Sequence, residues 1–142
     1  MKEIFEIILK IDNDKVSQNS LSDILKLIDK DTPKLLWKIL WFEGMMPESN
    51  FNVVEFENQI KNSDSGVFTT LDELENLCNT AQIFEILIIG DFEESNLKRF
   101  ENDEEMYKKC FVSIEMSDSS FWIVHTKNKE IQNELESSYL RK

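Results

Sequence analysis

Glycine and proline are scarce in this 142-residue chain, at three and two residues. That excludes collagen-like and Pro/Gly-rich low-complexity classes. It also leaves no glycine-rich loop to cradle a phosphate, and neither a P-loop nor G-x-G-x-x-G occurs. Cysteine is limited to Cys78 and Cys110, far apart and in no C-x-x-C. An apolar-rich domain of this size needs no disulfide staple, so both thiols are expected to be reduced and buried. No run approaches the ~18 to 20 apolar residues of a membrane span. The N-terminal stretch is interrupted by Glu3, Glu6 and Lys10 and has no small-residue cleavage site, unlike a signal peptide. No N-x-S/T sequon occurs. The expectation is a cytoplasmic protein.

Positive charge is the other deficit: 16 basic residues stand against 28 acidic, a net charge of −12. Such a chain repels phosphate backbones and anionic lipid, so neither nucleic acid nor membrane is expected as a direct partner. The same charge favours solubility and steers a basic protein toward the surface. The length suits one domain spanning residues 1–142, and 41% hydrophobic with 11% aromatic residues supply its core.

The elements are short and separated by polar breaks. Ile4–Ile11 places Phe5, Ile7, Leu9 and Ile11 on one face at period two; a strand is favoured, with a helix nearly as good a fit. Leu21, Ile24, Leu25 and Ile28 follow helical spacing, with Ser20 as the expected cap and Asp23 three residues on. For Leu35–Phe42, Thr32-Pro33 would start a helix well. A strand is preferred, because it puts Leu35, Trp37, Ile39 and Trp41 on one packed face, ending at Gly44. Asn52–Lys61 reads as a helix capped by Asn52, with Glu55 closing the cap and Val53, Phe56 and Ile60 inward. Thr70-x-x-Glu73 is a capping box for a helix to Cys78. Ile83–Ile89 reads as a central strand covered on both faces. Ser95–Lys109 reads as a loop holding a short helix capped by Asn102. Cys110, Val112, Ile114 and Met116 alternate onto one side of a strand, Asp118-Ser119-Ser120 turns, and Phe121–Thr126 returns as a hairpin. Lys127–Leu140 closes the chain as a helix with Ile131, Leu135 and Tyr139 in one stripe. The fold class expected is α+β: a mostly antiparallel sheet with helices packed on it, and a C-terminal β-hairpin followed by a helix.

The motifs yield no catalytic, metal or cofactor site. His125 is the only histidine, and with Asp118 and Ser119 or Ser120 it lies on one hairpin, lacking a nucleophile elbow; a surface histidine is the simpler reading. One histidine and two distant cysteines do not make a zinc set. Asp12-Asn13-Asp14 resembles the start of a calcium loop, but Val16 occupies a ligand position and the glycine is missing, so a polar turn is expected. No spacing singles out a pair of carboxylates for acid–base work. What stands out is an acidic tract, Glu93, Glu94, Glu101, Asp103, Glu104 and Glu105, interleaved with Phe92, Phe100 and Tyr107. Together with Tyr107 these carboxylates are the candidate partner-binding residues, since aromatics anchor interfaces and charge sets on-rate. The simpler alternative is a charged loop whose aromatics tuck into the core.

Three tracts carry a resemblance. Trp37–Gly44 (W-x-I…E-G), Phe68–Leu77 with E-L-x-x-L, and Gln82–Asp91 opening on Q-I are joined by the tail Asp118–Lys129, of D-S-x-x-W…[ST]-K-[DN] form. Together they resemble small acidic bacterial immunity-like proteins encoded beside polymorphic toxins. The resemblance implies a protein that occludes the active site of a cognate toxin domain, expected to be basic; it carries no catalytic residue. Competing expectations are a nucleic-acid mimic that inhibits a DNA-binding protein, a small enzyme of unrecognised type with a pocket, and a subunit role marked by Trp37 or Trp41 exposed on a sheet face.

Overall fold

The computed structural model describes residues 3–12, 14–45 and 53–140. Six strands form one antiparallel sheet: β1 (Phe5–Lys10), β2 (Leu36–Met45), β3 (Val67–Thr69), β4 (Gln82–Asp91), β5 (Val112–Ser117) and β6 (Phe121–Thr126). Their spatial order is β1-β6-β5-β4-β2-β3. The N-terminal strand therefore adds to the edge of the C-terminal hairpin, and β4 is central between β5 and β2. The helices are α1 (Ser20–Asp31), α2 (Val53–Asn62), α3 (Leu71–Thr80), α4 (Asp103–Lys109) and α5 (Lys129–Tyr139). This is the α+β architecture expected, including the terminal hairpin and helix.

Two unequal cores sit on the two faces of the sheet. On one face Leu21, Ile24 and Ile28 of α1, Ile60 of α2, Leu74 and Leu77 of α3, and Ile131 and Leu135 of α5 enclose Ile7, Leu9, Trp37, Ile88, Ile114 and Trp122. Fully burying such side chains contributes about 1.5–3 kcal/mol each before chain entropy is set against it. On the other face a small cluster joins Leu40 and Ile89 to Leu97, Met106 and Cys110. Among the described residues, α4 and the segment leading to it cover this side.

Local chemistry explains the boundaries. Thr70 Oγ1 accepts the Glu73 N–H at 3.1 Å, as a capping residue should. Asn102 and Asn128 do the same for α4 and α5, accepting from Glu105 and Ile131 at 2.8 and 3.0 Å. In the hairpin, Asp118 and Ser119 both take positive φ, 53° and 57°. That backbone hand matches the twist of the flanking strands. Gln18 ties the entrance of α1 to the sheet: its amide donates to the Ala81 carbonyl at 2.7 Å and accepts the Ile83 N–H at 2.9 Å.

Several expectations are corrected. Ser20 does not cap α1 with its side chain. Its hydroxyl instead accepts the Ser17 N–H at 2.9 Å, and Asn19 is the N-cap residue, without a side-chain hydrogen bond. Leu35, though buried, precedes β2. Trp37 and Trp41 do not share a face. The register with β4 shifts between Ile39 and Trp41, so Leu40 is an extra residue that turns Trp41 to the opposite side from Trp37, Ile39 and Phe42. Strand β2 also runs one residue past Gly44. Cys110 caps the end of α4 and belongs to the smaller cluster, not to the row Val112, Ile114 and Met116. In β4 both faces are buried only toward Asp91; nearer its start Phe84 is exposed. Asn52, the expected cap of α2, lies outside the described residues.

Candidate protein-binding site

The acidic tract is positioned by Asp91, the last residue of β4. Its buried carboxylate accepts the Glu93 N–H at 2.8 Å, the Asn96 amide at 3.3 Å and the Phe111 N–H at 2.9 Å. One side chain thus closes the excursion from residue 92 to residue 110. Inside it, Glu93 and Glu94 lie exposed around the short 3-10 turn Glu94–Asn96. Glu101, Asp103 and Glu104 are also exposed and Glu105 partly so; Asp103, Glu104 and Glu105 form the first turn of α4, where carboxylates complement the helix dipole. Lys108 and Lys109 occupy the last turn for the converse reason, and Lys108 approaches Glu104 at 4.0 Å, an exposed pair that stabilises little.

The aromatics of the tract divide. Phe92 is exposed, against Phe111 edge-on with ring centroids 5.1 Å apart. Phe100 packs beside the small core. Tyr107 does more: its ring stacks on His125 at 3.6 Å between centroids and 15° between planes. Its hydroxyl donates to Glu115 Oε1 at 3.2 Å.

His125 is therefore not a surface histidine. It is buried in β6, with Nε2 2.8 Å from Glu6 Oε2 on β1 and Nδ1 buried without a partner among the described residues. One ring nitrogen is held by Glu6 and one ring face is covered by Tyr107, so the imidazole is a packed group. It does not assemble with the hairpin turn: Ser119 Oγ donates to the Phe84 carbonyl and Ser120 Oγ to the Asp118 carbonyl. Burial pushes the Glu115 carboxyl above its ordinary range, opposed by the Tyr107 hydrogen bond and reinforced by Asp103 and Glu6. The Tyr107 phenol is raised as well, first by desolvation and then by Glu115 and Asp103. Glu6, Asp103 and Glu115 thus act on one locality where the tract meets the sheet. Sequence reading placed Tyr107 in the site but missed Glu6, Glu115 and the burial of His125. The available signal was the period-two alternation of β1, β5 and β6, which places Glu6, His125 and Ser113 in one cross-strand row and Glu115 in the next.

Other candidates resolve into structure. Asp12 Oδ1 accepts the N–H groups of Asp14, Lys15 and Val16 at 3.0–3.2 Å, and these bonds, Val16 first, hold its carboxyl below the usual range. This is the polar turn expected. Cys78 and Cys110 are free and buried. Among the described residues no three His, Cys, Asp or Glu side chains group closely enough to hold a metal ion, and no helix is long and apolar enough to cross a membrane. A cleft of about 500 Å³ opens between α2, β3 and α3, floored by Ile39, Leu74 and Leu77, and Glu73 is the charged residue among those described at its wall.

No family model matches the chain, nor does any curated protein or solved structure show significant similarity to it.

Proposed function

We propose that this chain works by binding a basic protein, and specifically as an immunity-type protein that neutralises a cognate toxin domain by covering its active site. The observation that carries the reading is the convergence of carboxylates where α4 meets the sheet. Asp103 opens the first turn of α4 and, with Glu6 of β1, acts on Glu115 of β5; Glu104 and Glu105 follow Asp103 in that turn and Glu101 precedes it. In a chain of net charge −12, such a surface speeds the encounter with a positively charged partner and rejects like-charged ones. The toxin assignment rests on the immunity-like resemblance of the Trp37–Gly44, Phe68–Leu77, Gln82–Asp91 and Asp118–Lys129 tracts. The nucleic-acid mimic is less favoured, because Lys108 and Lys109 interrupt the acidic run on the same short helix.

The test is affinity capture from lysate of the parent cell at low salt, with a salt gradient for elution. A basic protein released late, toxic when expressed alone and harmless when this chain is co-expressed, supports the reading. Reversal of Glu101, Asp103, Glu104 and Glu105 to lysine should then weaken that complex. Recovery of nothing but chaperones and ribosomes would sink it.

A further inference from the structure

Four helices lie on one face of the sheet, and α4, seven residues long, spans only about 10 Å of the other. It covers His125, Ser113 and Ile89, a cross-strand row whose edge residue Glu6 stays exposed. Among the described residues the next row is covered only at its middle, where the Tyr107 hydroxyl reaches Glu115 and Leu87 packs beside the small cluster. There Ile8, Ile123, Glu115, Leu87 and Trp41 lie side by side across β1, β6, β5, β4 and β2. Ile8 is 47% exposed, Trp41, Leu87 and Ile123 are partly exposed, and Phe121 on the same face is 37% exposed.

We propose that this partly uncovered sheet face is where a basic protein partner docks, with Ile8, Ile123, Leu87 and Trp41 as apolar anchors around Glu115, and Glu6, Glu43 and Glu85 as its charged rim. The proposal rests on the basic-partner reading above and adds the surface that meets the partner.

Size, charge and chemistry support it. Strands about 4.8 Å apart make a five-strand row about 19 Å wide, on the scale of one side of a standard interface. Glu43 and Glu85 stand directly opposite each other on β2 and β4, an arrangement that disfavours the free protein, and neither takes part in a salt bridge among the described residues. Among the described residues Glu85 Oε2 accepts a single long bond, 3.3 Å, from Trp41 Nε1. An arginine from a partner would stack on the indole and pair with these carboxylates at once. Among the described strand residues of this face Lys10 is the one exposed cation; Lys38 is buried, its ammonium donating to the Leu97 carbonyl and Ser65 Oγ. A second copy would bring like carboxylates against these, and anionic lipid would be repelled.

The experiment immobilises the full chain, identifies the basic protein retained at low salt, purifies it and titrates it against variants. Trp41→Ala should weaken binding at least about thirtyfold, as a central aromatic anchor does. The double variant Ile8→Glu, Phe121→Glu should lose binding comparably. Both its positions are already exposed, so an unchanged thermal melt assigns the loss to the surface. Glu43→Lys should slow association and flatten its salt dependence, whereas Asn79→Lys on α3 should change neither. If the sheet variants bind like wild type while Glu104→Lys, Glu105→Lys does not, the basic-partner reading stands and this docking face is wrong. If wild type retains no basic protein, both fall. Concentration-dependent dimerisation lost in Trp41→Ala would assign the face to a second copy and overturn the proposal.

Discussion

Replacing Trp122 with phenylalanine separates a core tryptophan from one that faces outward. Trp122 is 0% exposed, and its indole N–H donates to the Ser17 carbonyl at 2.8 Å, fastening the loop before α1 to the sheet. Losing that bond costs on the order of 1 kcal/mol. The larger penalty for an orphaned acceptor does not apply, because the Ser17 carbonyl also receives the Ser20 N–H at 3.1 Å. The lost ring leaves a void of a few tens of Å³, worth on the order of another 1 kcal/mol at ~24 cal/mol per Å³. Trp122→Phe should therefore lower stability by about 2 kcal/mol, a large share of the ~5–15 kcal/mol of an ordinary domain. Trp41→Phe gives up a 3.3 Å bond at a half-exposed site and should cost less than about 0.5 kcal/mol. Urea unfolding followed by far-UV circular dichroism measures both. With a slope of about 2 kcal/mol per molar, Trp122→Phe should move the midpoint by about 1 M without changing the slope. Equal costs for the two variants would refute the bulge at Leu40, because they would place Trp41 in a core.

Gly66→Ala should destabilise by about 2 kcal/mol or more in the same assay: φ there is +90°, and a Cβ would meet Leu40 Cδ2 at 2.6 Å and the Ile39 carbonyl at 3.0 Å. The thiols of Cys78 and Cys110, pushed by burial to about 11 and about 12, should resist a disulfide reagent at about pH 8 and react only once urea unfolds the chain; fast labelling of the native protein would contradict their burial. Glu115, raised first by burial, binds its proton more tightly folded than unfolded. The stability it contributes is full below its unfolded pKa and lost as pH rises through the folded one. Glu115→Gln should thus gain in melting temperature relative to wild type as pH goes from about 4 to about 8. A constant difference across that range would show that Glu115 is not perturbed.

Much of the secondary structure was legible because it is written in local spacing. Leu21, Ile24, Leu25 and Ile28 are all buried on α1 as their periodicity required. The caps Thr70, Asn102 and Asn128 are side chains meeting backbone three residues away. The site was legible only in part. Tyr107 and the carboxylates of α4 could be singled out, but not what they face, since Glu6 lies 119 positions from His125 in the chain. Strand β3, three residues long, gives no periodic signal at all. Ser20 was misread because two hydroxyl geometries, a cap and a preceding turn, share one sequence pattern.

The linear chain by itself determined the charge, the alternation of apolar and polar positions, and hence the class of fold, for these are properties of residues and their near neighbours. Only tertiary structure decided that one extra residue at Leu40 sends Trp37 inward and Trp41 outward. It alone decided that α4 covers one row of the sheet and reaches the next only at Glu115 and Leu87. Strand pairing joins residues far apart in the chain, and a register shift of one reverses every side chain beyond it. No local pattern along β2 carries that information, and it is settled by which strand lies alongside.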